Sequence, residues 1–225
     1  RSNKVPLLGL EQSASAGAGA GAILSDDAWK RAVEEDRALH ASLAREVALL
    51  SARFTAAGIE FVLFKSAGIL PYRSSNLDLL VRPARLADAM KILEEDGHLL
   101  IPHYREENKR LYRRFRAGRH VVCVHLHSAV SWGAVLIIEG DEVVDRSVAS
   151  DDGTFRIASA DDRVAITLAH SLFETDQIRL SDLRALRLAG RGGLLDWEHV
   201  AERAAARGWL AGLHAVVLIA SAVER

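Results

Sequence analysis

Asn76 and Asp78 stand two apart at the head of an apolar run that continues through Leu79, Leu80 and Val81. His125 and His127 flank Leu126 in a second such run. On a strand, a spacing of two sends both members of a pair to one face. A polar pair beside a buried strand is costly unless it finds partners, and a metal ion or a phosphate group would supply them. Lys65 ends a third apolar run, where its ammonium could meet a triphosphate as a point charge. Ser66, Ser74 and Ser75 could add hydroxyl and backbone hydrogen bonds to phosphate oxygens, although turns use serine in any case. Each residue also has a plainer reading. Asn76 and Asp78 could cap neighbouring backbone, Lys65 could be a strand-end lysine in solvent, and a histidine is commonly a hydrogen-bonded core residue. If the histidine face meets Asp78, two imidazoles and one carboxylate converge, a set that suits iron or zinc.

The elements that must position these residues follow from periodicity. Apolar runs at 59–64 and 77–81 flank a polar connection containing Gly68 and Pro71, which predicts strand, phosphate-sized loop, strand. Before them, Ser25 or Asp26 can cap a helix running to about residue 57. Its apolar stripe is Trp29, Val33, Leu39, Leu43, Val47, Leu50 and Phe54, with Gly58 as the stop. Pro83 suits a first helical turn, and Leu86, Ala89, Met90 and Leu93 form the stripe of a helix over 84–96. A short extended piece at 98–101 precedes a hairpin of 111–116 and 120–127 that turns at Ala117-Gly118. These helices are expected to cover a mixed sheet in which 59–64, 77–81 and 120–127 are neighbours.

Residues 135–138 read as one more strand and 141–146 as a helical turn. Ser159 and Asp162 resemble a capping box opening a helix. Helices are then expected over 178–188, 197–206 (capped by Asp196) and 209–223. Residues 1–24, with alternating Gly and Ala, read as a flexible tether. An α/β domain over 25–150 and a helical subdomain over 151–225 complete the organisation. Trp197, Trp209 and His170 are expected to pack.

The chain has 225 residues and a net charge of −1, so no global field argues for nucleic acid or a membrane. Its single cysteine, Cys123, excludes an internal disulfide and makes a cytoplasmic protein the expectation. No stretch is long enough to span a membrane, and the first residues lack the charged-then-apolar order of a secretion signal. One segment is locally basic: over 105–120, Arg105, Lys109, Arg110, Arg113, Arg114, Arg116 and Arg119 oppose only Glu106 and Glu107, with Tyr104, Tyr112 and Phe115 nearby. Such a hairpin could bind triphosphate or a nucleic-acid backbone, or be an edge kept from aggregating by its charge.

Three stretches together resemble the nucleotidyltransferase superfamily that includes polymerase β. They are Phe64-Lys65-Ser66, Arg73-Ser74-Ser75-Asn76-Leu77-Asp78-Leu79-Leu80-Val81 and His125-Leu126-His127. More narrowly, the pattern is similar to an uncharacterised nucleotidyltransferase family with a Leu-Lys-Gly turn, an Asp-x-Asp-Leu-Leu-Val strand and a later Asp/Glu-x-His strand. Asp182 and Asp196-Trp197 echo positions in its helical half. The resemblance implies an α+β polymerase β-like fold and metal-dependent transfer of a nucleoside monophosphate from an NTP, such as ATP, to an acceptor. It places nucleotide phosphates at Lys65, Ser66, Arg73, Ser74 and Ser75, and Mg²⁺ at positions 76, 78 and 125. It puts His125 or His127 forward as a base. Asn76 and His125 stand where the family carries carboxylates, so a carboxamide, a carboxylate and an imidazole replace three anionic ligands. Two readings follow: a nucleotidyltransferase with weakened catalysis, or an inactive homologue that binds a nucleotide or a partner. A transition metal at His125 and His127 is the alternative to Mg²⁺.

Overall fold

The computed structural model describes residues 27–65, 76–102, 106–116, 119–150, 153–175, 177–178, 182–183, 186 and 195–223. It opens with helix α1 (Asp27–Ala56). The expected stripe is its buried face: Leu43, Val47, Leu50 and Phe54 lie in one core cluster. Gly58, at φ +63°, ends the helix. Its amide donates to Thr55 O (3.0 Å) and that of Ile59 to Phe54 O (2.8 Å), a paired closure that only a left-handed residue allows cheaply. Ile59 and Phe54 share the same cluster and seal the end.

The chain then enters a mixed seven-stranded sheet. Its strands are β1 (Phe61–Leu63), β2 (Leu77–Val81), β3 (His98–Leu100), β4 (Lys109–Arg116), β5 (Arg119–His127), β8 (Val148–Ala149) and β9 (Arg156–Ile157), in the order β3-β4-β5-β2-β1-β9-β8. β2 runs antiparallel to β1 and parallel to β5. The three expected strands are therefore neighbours, although β1 is shorter than the apolar run around it. β6 (Ala129–Trp132) and β7 (Val135–Glu139) form a separate hairpin. The fold is α+β.

Strand alternation sorts the side chains cleanly. Phe61, Leu63, Leu77, Leu79, Val81, Val124 and Leu126 face α1 and α2 (Leu86–Glu95), which contributes Ala89 and Leu93. Val62, Phe64 and Leu80 face the opposite way. They pack with the β6–β7 hairpin and with α3 (Gly140–Arg146), α4 (Ala160–His170), α5 (Trp197–Ala206) and α6 (Leu210–Val223). The expectation that the two early helices cover the sheet's faces is corrected here. Both lie on one face, and the later helices take the other. Asp78 alternates with Leu77 and Leu79, so it is turned toward those later helices.

Gly140 marks a close approach: a Cβ there would collide with the backbone oxygen of Ser128. Ser159 caps α4 by accepting from the Asp162 amide (3.2 Å). The Asp162 carboxylate does not return the bond but meets Arg146 and Arg203, fully buried. Asp196 caps α5 as expected, accepting from the His199 amide (3.0 Å). Trp209 packs in the core, whereas Trp197 is exposed. The expected turn at 117–118 and most of the helix expected over 178–188 lie outside the described residues. Among the described residues, no helix is long and apolar enough to cross a membrane.

Candidate functional site

The β2–β5 pairing places Asp78 directly opposite His125 and Leu80 opposite His127. With side chains alternating, Asp78, His125 and His127 converge on the face turned toward the later helices. Asp78 is 3 % exposed. Its Oδ2 accepts from Asn76 Nδ2 at 2.6 Å. Its Oδ1 lies 3.1 Å from His125 Nδ1, 3.4 Å from His127 Nε2 and 3.6 Å from Lys65 Nζ. Burial alone would raise this carboxyl, but the Lys65 ammonium and the two imidazoles overcome it and hold Asp78 well below the usual range.

The two histidines differ. His125 Nδ1 is also 3.2 Å from Asn76 Nδ2, so it accepts from the carboxamide when that nitrogen is bare and donates to Asp78 when it carries a proton. Burial works against protonation of His125, yet the bond to Asp78 raises it overall. His127 is buried, and burial pushes it down to about 4, so it is neutral at physiological pH. The ring of Phe64 meets it edge-on at 4.7 Å. His127 Nε2 is not aligned for a hydrogen bond to Asp78 and has no other hydrogen-bond partner among the described residues. A buried ring nitrogen left so is costly.

Lys65 is not the solvated strand-end lysine of the plainer reading. Its side chain is 14 % exposed and pairs with Glu174 as well as Asp78, with Nζ 3.5 Å from Glu174 Oε2. The ammonium also sits 5.1 Å from the Trp132 ring centre. Glu174, on a π-helical turn (Ser171–Thr175), accepts from Trp132 Nε1 at 2.6 Å and approaches His170 Nε2 at 3.2 Å. Burial opposes the Glu174 charge, but Lys65, the Trp132 bond and His170 lower its carboxyl to about 2.

Glu174, Trp132 and His170 therefore belong to the site, although the sequence pattern did not select them. His170 was expected only to pack. A usable signal was present: His170 and Glu174 are four apart, which puts both on one helical face. Ser66, Arg73, Ser74 and Ser75 lie outside the described residues. The basic hairpin is partly committed to internal contacts. Lys109 is buried, Arg110 donates to the carbonyls of Glu106 and Glu107, and Arg114 pairs with Glu46 at 2.8 Å.

The family described as "Uncharacterised nucleotidyltransferase" matches residues 19–223, nearly the whole chain. The chain belongs to this nucleotidyltransferase family. The solution structure of the antibiotic-resistance factor ANT(2'')-Ia is similar in fold, with a TM-score of 0.52 at 15 % identity, over 78 % of this chain and 95 % of that one. The crystal structure of ANT(2'')-Ia with adenylyl-2''-tobramycin gives the same TM-score at 16 % identity, over 72 % and 96 %. These likenesses establish the polymerase β-like α+β fold. No curated protein matches the chain.

The nucleotidyltransferase pattern implies divalent ions held by carboxylates. The donors present do not fit two Mg²⁺ ions, which want oxygen ligands and gain most from anionic ones. Of positions 76, 78 and 125 only Asp78 is a carboxylate; the others offer a carboxamide and an imidazole.

Proposed function

We propose that the chain binds a nucleoside triphosphate with Lys65 at its phosphates, and that it holds the nucleotide far more effectively than it transfers the nucleotidyl group. Membership of the nucleotidyltransferase family supports nucleotide chemistry at this place in the fold. One observation carries the second half: Asp78 is the only carboxylate at positions 76, 78 and 125, and a lysine ammonium sits against it. Phosphoryl and nucleotidyl transfer depend on charge neutralisation and in-line positioning more than on covalent chemistry. A single carboxylate already balanced by Lys65 leaves little charge to hold the ions that supply both.

Within the site, Lys65 meets two carboxylates among the described residues, so a phosphate oxygen can replace one while the other keeps the ammonium in place. Ser66, Arg73, Ser74 and Ser75, in the connection between β1 and β2, are the further phosphate contacts in this reading. ATP is the first nucleotide to try, because the similar fold of ANT(2'')-Ia is seen with an adenylyl compound. The acceptor in any residual transfer is a hydroxyl or phosphate group. The cytoplasm is the compartment that supplies such a nucleotide, in keeping with the single cysteine.

Pyrophosphate release from ATP and the other NTPs, measured with Mg²⁺ beside direct binding, tests the reading. The expected result is saturable binding with pyrophosphate release at or near background. Rapid multiple turnover with Mg²⁺ would overturn the claim of weak transfer, and absence of binding to every NTP would overturn the claim of a nucleotide site.

A further inference from the structure

We propose that Asp78, His125 and His127 form a three-ligand site for one transition-metal ion of the zinc type. In tetrahedral zinc sites the metal lies about 2.0–2.2 Å from imidazole nitrogen and carboxylate oxygen, so ligand atoms stand about 3.3–3.5 Å apart along each edge. Two edges here are 3.1 Å (His125 Nδ1 to Asp78 Oδ1) and 3.4 Å (His127 Nε2 to Asp78 Oδ1). All three ligand atoms fall within 4.8 Å of one another. Two of the three edges already have about the length such a site needs.

A second observation points the same way. His127 Nε2 is buried, faces this triangle and has no hydrogen-bond partner among the described residues. A metal ion satisfies that nitrogen where no described side chain does. The surroundings supply what ligands of such sites need from their neighbours. Asn76 Nδ2 holds Asp78 Oδ2 at 2.6 Å and leaves Oδ1 turned to the histidines. Phe64 fixes the His127 ring from its edge. Lys65, the present counter-ion of Asp78, has Glu174 as a second carboxylate at 3.5 Å, so a metal on Asp78 leaves the ammonium paired.

Two imidazoles and one carboxylate favour a transition metal over Mg²⁺, because imidazole suits zinc, iron and nickel whereas Mg²⁺ selects oxygen. Three protein ligands leave a fourth position open. The inference concerns metal binding alone and stands whether or not a nucleotide binds.

The test is titration of the full chain, freed of metal by a chelator, with Co²⁺ in the absence of nucleotide. A visible d–d band saturating at one cobalt per chain, displaced by Zn²⁺ and unaffected by millimolar Mg²⁺, is expected. His127→Gln and His125→Gln should each abolish it. No saturable band, or a one-per-chain band that survives in both variants, would overturn the proposal. Should both variants fail to fold, X-ray absorption of the zinc-loaded wild-type protein decides: two imidazoles per zinc support the site, and fewer than two overturn it.

Discussion

Two buried carboxylates lie against opposite faces of the same sheet, Glu46 from helix α1 and Asp78 from strand β2, and each is met by histidine and a cation. On the face of α1, Glu46 lies 3.1 Å from His98 Nε2 and 2.8 Å from Arg114 Nη1. On the other, Asp78 meets His125, His127 and Lys65. The chemistry of the parts is nearly shared, but their closure differs. Arg114 reaches Glu46 within direct hydrogen-bond distance, and His98 Nδ1 lies 3.1 Å from the carbonyl of Leu93, which ties the histidine to α2. Each site has a buried histidine Nε2 close to its carboxylate but not aligned for a hydrogen bond; among the described residues Glu46 has one such histidine beside it, whereas Asp78 has two histidines and a lysine shared with a second carboxylate. The Glu46 group is tied to the sheet through Arg114 and to α2 through His98. A group that exchanges partners needs an alternative one, and Lys65, shared between Asp78 and Glu174, supplies it on the other face.

The largest effect that would separate them is on stability. Removing one partner of a buried, hydrogen-bonded ion pair typically costs about 3–5 kcal/mol, because the other charge is left uncompensated. Glu46→Leu should lower unfolding free energy by an amount in that range while leaving nucleotide affinity unchanged, as read by urea denaturation and a binding titration. A stable variant with altered nucleotide binding would reverse the assignment of the two faces.

Rebuilding the carboxylates sharpens the comparison from the other side. Asn76→Asp with His125→Asp places three carboxylates at the β2–β5 register, where they repel one another and should lower the apo melting temperature. Mg²⁺ should then restore it, by about 2.7 kcal/mol when the ion is at a hundred times its Kd. Thermal melts with and without Mg²⁺ check this. Equal metal dependence in the variant and the wild-type protein would mean that the three positions do not converge on an ion.

How far this site could be read from the sequence depended on range. Alternation in 77–81 and 120–127 fixed which residues share a face, because period two is a local property. The end of α1 at Gly58 was legible for the same reason. Glu174 was not, since it reaches Lys65 from 109 residues further along the chain, on a turn whose place is set by packing of the later helices. Strands β8 and β9, two residues each, are too short to show a period. Asp162 misled in an instructive way: its spacing from Ser159 marks a cap, but its carboxylate pairs with Arg146 and Arg203, which no local pattern records.

Lys65 gives a further contrast. Lys65→Ala should weaken nucleotide binding by about 1.5–3 kcal/mol, the usual worth of a charge-assisted phosphate contact. It should also lower stability, since Asp78 loses a cation in a buried setting. Arg114→Ala, on the other face, should affect stability alone. Paired titrations and melts of the two variants read this, and equal loss of nucleotide affinity in both would erase the distinction.

The smallest expected effect is in pH. The burial penalty at Glu46 is outweighed by His98 and Arg114, so its carboxyl sits below the ordinary 4.5. The folded state then binds fewer protons at this group than the unfolded chain does. Its contribution is full above 4.5 and is lost as pH falls below that value through the folded one. Glu46→Gln should show a flatter fall in stability below pH 4.5 than the wild-type protein; identical slopes would show that Glu46 is not the group responsible.

The central claim is that Lys65 holds a nucleotide at a site without a two-Mg²⁺ centre, and calorimetry of ATP binding in EDTA and again in Mg²⁺ tests it most directly. The account predicts affinities in the two buffers that agree within about threefold, far less than 1.4 kcal/mol per tenfold would register for a required ion, and a loss of the signal in Lys65→Ala. Binding that appears only with Mg²⁺, or that survives unchanged in Lys65→Ala, would contradict it.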